Sequence, residues 1–301
     1  MAENVREHLP VGLPVAAAKP AQSERADASD EPTYVIDASD TGSGLGLKDL
    51  WRSRELLYFL TWRDVRVRYK QTALGASWAI LQPLLTMIIF TVFFGRLAGV
   101  PSDGLPYPLF SFAALLPWTY FAQSLTQSSN SLVVSQNLLK KIYFPRLVIP
   151  VASALGGLVD FATAFVVLIA MMVYYRVGVS LQALMMPVFL VLATITALGV
   201  GLWLSAINVK YRDVRYTVPF LTQIWLFATP VAYPSSMVHG KLKVLFGINP
   251  MAGVVEGFRW SLLGTAPPGG MIWVSVAVAA LLLFTGLRYF RRVERSFADV
   301  V

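Results

Sequence analysis

Cysteine is absent from the 301 residues, which excludes structural disulfides and any thiolate chemistry. The two histidines, His8 and His239, lie far apart in sequence, and neither has a second ligand at metal-binding spacing, so no metal site is expected. Charge is scarce as well. Asp, Glu, Lys and Arg make up 14% of the chain, against roughly 25% in a soluble domain, while 56% of it is hydrophobic. Several stretches carry no charge over the roughly 20 residues that a helix needs to cross a bilayer core. The N-terminus lacks a basic start followed at once by an apolar core, so no signal peptide is expected. The net charge of +8 does not point to nucleic acid, because the basic residues sit beside the apolar runs, where they fix topology and meet anionic lipid.

Residues 1–46 are rich in Ala, Pro, Ser and acidic residues, too little apolar surface to offset the entropy of ordering, and read as a disordered cytoplasmic tail. Gly42, Gly44, Gly46 and Lys48 do not form a phosphate loop. The glycine spacing is wrong, and Asp49 stands where Ser or Thr is required. From 47 to 72 the pattern becomes helical, with Trp51, Tyr58, Trp62, Val65 and Tyr69 on one stripe and Arg52, Glu55, Arg63, Arg66 and Lys70 on another, as in a helix lying in the membrane interface.

Six spans are predicted within residues 73–295. They are Ala73–Gly95, a segment within Leu105–Leu139, Leu147–Tyr175, a segment within Val177–Val209, Tyr216–Met237, and Met271 to about Phe290. With the N-terminus inside, 20 of the 25 Lys and Arg residues fall on the cytoplasmic side, as retention of positive charge demands. Both termini, including residues 296–301, are then cytoplasmic. Between spans five and six, Val244–Gly270 is apolar but broken, which predicts two short re-entrant helices. They start near Asn249 and Pro250 and end near Gly264. Glu256 and Arg259 stand at i and i+3, side by side on one helix face, either as an outer gate or as a local ion pair. Asp160 is the one ionisable residue deep in a predicted span, and such residues face the bundle interior or a cavity. It marks either a functional site or a structural hydrogen bond. A lone carboxylate makes a poor proton relay, and the loops supply no catalytic constellation, so no catalytic residue is assigned.

Ordered signatures run through the chain: RDVRVRYKQTALGASWAILQPLL from Arg63, PWTYF from Pro117, NLLKKIYFPR from Asn137, NVKYRDV from Asn208, TPVAYP from Thr229 and NPMAGVVEGFRWSLLG from Asn249. By these the chain resembles, over about residues 55–295, the permease subunits of type-2 ABC exporters that move polysaccharides such as O-antigen, galactan, teichoic acid and capsule. The resemblance implies an all-α permease of the bacterial inner membrane, working as a homodimer with two separate ABC ATPase subunits that bind ATP and Mg. Its cargo would be a lipid-linked polysaccharide, O-antigen or galactan-like; teichoic acid, capsule or a small lipophilic molecule are the alternatives. It further implies a coupling helix, with Leu138, Leu139, Ile142, Tyr143 and Phe144 as apolar anchor and Lys140, Lys141 and Arg146 as basic rim. The helix with Trp51, Tyr58, Trp62, Arg63, Arg66 and Tyr69 would be a cytoplasmic gate. A sliding polymer needs aromatic faces that stack without fixing register. Trp118, Tyr120 and Phe121 in span two and Trp225, Phe227 and Tyr233 in span five are the candidates, with interfacial anchoring as the competing role.

Overall fold

A computed structural model describes residues 46–70, 77–141, 144–238 and 244–294. The N-terminal tail, the start of the first span, Ile142, Tyr143, both histidines and residues 296–301 lie outside these ranges. Among the described residues there are helices and no strand. A short α1 (Leu47–Arg52) and α2 (Arg54–Lys70) come first, interrupted at Ser53. The predicted single helix is therefore two. Then come α3 (Ser77–Phe90), extended by a π-helical stretch Thr91–Leu97, α4 (Tyr107–Val134) and the short α5 (Gln136–Lys141). Helices α6 (Val148–Leu155) and α7 (Gly157–Tyr174) run nearly end to end, followed by α8 (Met186–Lys210), α9 (Val214–Ala228), α10 (Pro250–Leu263) and α11 (Met271–Glu294).

Among the described residues, four segments are long and apolar enough to cross a membrane: Ser77–Leu97, Val148–Tyr174, Leu181–Lys210 and Met271–Glu294. Helix α4 has the length, 28 residues, but it is the central helix, enclosed by α3, α6, α7, α8 and α9. Enclosed by protein rather than lipid, its second half tolerates Gln, Ser, Thr and Asn. Helix α9 differs from the fifth predicted span. It stops at Ala228 after 15 residues, about 22 Å at 1.5 Å per residue, because Pro230 and Pro234 cannot continue it.

The bundle has one basic end. There Asp49 accepts from Arg291 at 3.0 Å, tying α1 to the last turn of α11. Arg146 donates to the Glu294 carbonyl at 2.5 Å. Beneath them Leu60, Leu132, Leu147, Leu202, Leu287 and Phe290 form a separate apolar cluster. The first and last described helices therefore meet at the same end.

Helices α8 and α11 touch through glycine. A Cβ added at Gly199 would stand 2.7 Å from the Leu283 nitrogen, and Gly286 faces the Gly199 carbonyl. Small residues let two backbones approach where hydrocarbon gives no hydrophobic drive for association. Beside them Trp203 stacks on Tyr289 at 4.2 Å between ring centroids. Gly199→Val is expected to cost about 1–3 kcal/mol through overpacking, read as a lower unfolding midpoint of the detergent-solubilised chain. Gly178→Ala, where an added Cβ meets nothing within 4 Å, should leave the midpoint unchanged.

Candidate functional site

At the end opposite the basic one, the chain between α9 and α10 doubles back through residues 229–235 without regular hydrogen bonding. Its carbonyls are satisfied by side chains. Arg259 donates to the carbonyls of Pro230 and Val231 at 2.7 Å each and of Tyr233 at 3.4 Å. It also reaches the Phe110 carbonyl of α4 at 3.3 Å, and its guanidinium lies 3.5 Å from the Phe110 ring centroid. Tyr107 donates to the Ala232 carbonyl at 2.6 Å. Every carbonyl from Pro230 to Tyr233 thus has a donor. Glu256 accepts from Arg259 at 3.2 Å and from the Ser235 amide at 3.3 Å.

Asn249 closes the other side of this turn. As N-cap of α10 it accepts from the Met251 amide at 3.1 Å, the role for which Asn is favoured. The same oxygen accepts from the Trp225 indole at 2.9 Å, and the amide nitrogen donates to the Ala228 carbonyl at 3.1 Å and the Thr229 hydroxyl at 2.9 Å. Pro250 fits the first helical position because its missing N–H would have no partner there. Gly264, at φ 69°, ends the helix. Where two short helices were expected between Asn249 and Gly264, the structure has one, Pro250–Leu263.

The Glu256–Arg259 pair is buried. Arg259 is 1% exposed and Glu256 5%, so an exposed ion pair is excluded. The pair is not self-contained either, since Arg259 serves four carbonyls besides the carboxylate. Tyr107, Phe110 and Ser235 were not picked out from sequence, because a backbone acceptor or an inward ring leaves no compositional signal.

The aromatic candidates separate. Tyr120 and Phe121 are fully buried within one protomer, Tyr120 bonded to Thr194 at 2.8 Å and Phe121 edge-on to Trp225 at 5.0 Å. Trp118 is also buried, 5.3 Å from Phe121. Phe227 is 56% exposed. Tyr233 is half-buried, its hydroxyl donating to the Phe227 carbonyl at 3.2 Å. On α9, Tyr216, Phe220 and Phe227 share one exposed face, while Val218, Leu221 and Trp225 lie on the opposite one, as their helical spacing requires.

At the basic end, α2 runs alongside α6 and α7 in the same direction, with successive contacts advancing in step. Leu60 enters the cluster around Val148 and Ile149, Asp64 accepts from Ser153 at 3.2 Å, and Arg68 and Tyr69 both bond to Asp160. Arg68 also donates to Gln127 of α4. The predicted stripe is thus divided: Trp51, Tyr58 and Trp62 point outward, Val65 is buried, and Tyr69 turns inward to the carboxylate. Arg63 pairs with Asp64 at 2.8 Å, and Arg66 lies 5.6 Å from the Trp62 ring. Asp160, 8% exposed, fastens α2 to the bundle. Arg68 was missed in sequence, although Leu60, Asp64 and Arg68 recur every four residues and so mark the inward face. Leu138 and Leu139 of α5, and Phe144 beyond its end, lie half-buried against the chain's own cluster, whereas Lys140 and Lys141 are exposed.

Arg259→Ala is expected to destabilise the protein by about 3–5 kcal/mol, because it leaves a buried carboxylate and four carbonyls without their donor. Glu256→Ala should cost less, about 1–3 kcal/mol, since Arg259 keeps its carbonyl acceptors. Unfolding midpoints of the two solubilised variants check the order.

Residues 55–263 match the ABC-2 type transporter family, a range from the first turn of α2 to the end of α10. The chain is 27% identical over 259 residues to the O-antigen export system permease protein RfbA of Myxococcus xanthus, covering 85% of this chain and 98% of that one. It is 28% identical over 248 residues to a protein of the same name from Klebsiella pneumoniae, covering 82% and 95%. With the polysialic acid transport protein KpsM of Escherichia coli it shares 23% identity over 239 residues, 78% and 92% of the two chains. The chain belongs to the ABC-2 type transporter family of membrane proteins.

Proposed function

We propose that this chain is the permease subunit of an ATP-driven exporter that moves a lipid-linked polysaccharide across the bacterial inner membrane. The observation that carries the proposal is the near end-to-end alignment with O-antigen export permeases, 95–98% of their length. The polysialic acid transporter among the relatives keeps capsule-type polymers as a second cargo class. The sequence has no phosphate loop, which supports a separate ATPase. A homodimer with two ATPase subunits is the assembly this reading requires.

Six traverses with both termini in the cytoplasm fit the meeting of α1 and α11 at one basic end. In this arrangement α4 and α9 supply the second and fifth traverses, and the turn at 229–235 with α10 fills the outer leaflet. A helix of 14 residues whose side chains are nearly all buried suits an element that dips into the membrane and is sheltered by protein. The Arg259 turn is then the outer gate, held shut at rest. Inside, α5 is the coupling helix. Its leucines seat it on the permease, and Lys140 and Lys141 remain for the ATPase. Helix α2, with Trp51, Tyr58 and Trp62 outward, is the cytoplasmic gate.

The polymer path lies along the exposed aromatic face of α9, where Phe227, Phe220 and Tyr216 offer flat apolar surfaces for the C–H faces of sugar rings. Phe121 supports that face from behind by packing on Trp225. Phe227→Ala should slow export without lowering permease abundance, whereas Tyr120→Ala should lower both; surface polymer is compared with permease in the membrane.

Native mass spectrometry of the chain purified with its ATPase is expected to show a two-plus-two assembly. Charge reversal at Lys140 and Lys141 should weaken that assembly while leaving insertion intact. A transport-active permease that associates with no ATPase would overturn the proposal.

A further inference from the structure

The face of α9 opposite Phe227 borders an open groove of about 340 Å³ between α8 and α9, with Leu125 of α4 at its floor. Val200 and Leu204 line it from α8, and Val218, Leu221 and Trp225 from α9. No charged residue lines it. The volume is roughly ten times the ~30 Å³ share of one water, yet water there would find almost no hydrogen-bonding partner. Between membrane-spanning helices such a groove is filled by hydrocarbon.

The elbow joining its two walls is basic. Helix α8 ends at Lys210 and α9 begins at Val214. Lys210, Arg212 and Arg215 are exposed, and none of them forms an ion pair among the described residues. The one carboxylate of the elbow is the exposed Asp213. Lys210 lies 5.3 Å from the Tyr211 ring. Val218 follows Arg215 by one turn of α9, and Leu204 precedes Lys210 by less than two turns of α8. Three cations therefore stand where the walls meet, and apolar surface begins within a turn of them.

We propose that this groove is a binding site for an anionic phospholipid of the surrounding membrane, its phosphate held by Lys210, Arg212 and Arg215 and one acyl chain laid over Leu204, Val218 and Leu221. The distribution of charge selects this occupant. A phosphate directly above a hydrocarbon chain has the same polarity profile as cations above an apolar groove, and basic pockets between transmembrane helices on the cytoplasmic side bind such headgroups. A second protein helix in the groove would leave the three cations without a counter-charge. The inference needs only the membrane-spanning reading and is independent of the cargo.

The test is native mass spectrometry of the full-length chain, extracted by mild detergent in its own assembly, scored for retained phosphatidylglycerol. Lys210→Gln with Arg212→Gln and Arg215→Gln should lower retention by about tenfold. Leu204→Trp with Leu221→Trp, which fills the groove, should lower it by a similar factor, while Arg212→Lys with Arg215→Lys should preserve it. Loss in the charge variant alone would mean loose surface attraction and overturn the site. Loss in the groove variant alone would overturn its preference for an anionic headgroup, and retention in both would overturn it entirely. Displacement of phosphatidylglycerol by added polyprenyl diphosphate would reassign the groove to a carrier lipid. Unfolding midpoints accompany each variant; Leu221→Phe alone replaces a double variant that fails to fold.

Discussion

Backbone carbonyls that leave a helix inside a low-dielectric environment must find donors from the protein itself, and Arg259 meets that constraint at the end of the bundle opposite the basic one. One guanidinium, with Tyr107 and Asn249, fixes the turn after α9, and the turn fixes where α10 begins. Helix α10 in turn fills the space among α4, α8 and α11. Glu256 offsets the charge but contributes only one of the acceptors. Releasing this turn means exposing several carbonyls at once.

The basic end is organised by different physics. Exposed or half-exposed ion pairs such as Asp49–Arg291 are individually weak, but they sit over an apolar cluster to which α2, α4, α6, α8 and α11 all contribute. Helix α2, attached through Leu60 and its polar contacts to Ser153 and Asp160, and α5, attached through its leucines, present aromatic or cationic groups outward. A push on either is transmitted through packed side chains to α4, the helix that contacts nearly every other one.

Much of this architecture was legible in sequence because the hydrophobic runs, the placement of Lys and Arg, and the caps at Asn249 and Gly264 are local signals. The burial of Glu256 and Arg259 was not settled by sequence, since i and i+3 spacing fits a solvated pair as well as a buried one. What could not be read were partners distant in sequence. Nothing near Arg259 indicates that it serves carbonyls at 230, 231 and 233, and nothing near Asp160 points to Arg68 and Tyr69. Aromatic residues were also ambiguous. Phe121 and Phe227 look alike in composition, and only the neighbours of their helices make one a packing residue and the other exposed. The length of α9 was overestimated because apolar composition continues through the two prolines that end it.

The attachment of Asp160 to α2 bears on how the chain is made. A carboxylate near the middle of a helix costs about 2.5–3.5 kcal/mol to insert at the bilayer centre, and the third hydrophobic segment carries that burden with no basic residue of its own between Val148 and Tyr174. Its partners, Arg68 and Tyr69, precede it by some 90 residues. Synthesis from the N-terminus therefore delivers the cation and the phenol before the carboxylate leaves the ribosome. A copy of this chain shortened past α2 would present Asp160 to the insertion machinery unpaired, so the first defect of such a truncation lies in biogenesis.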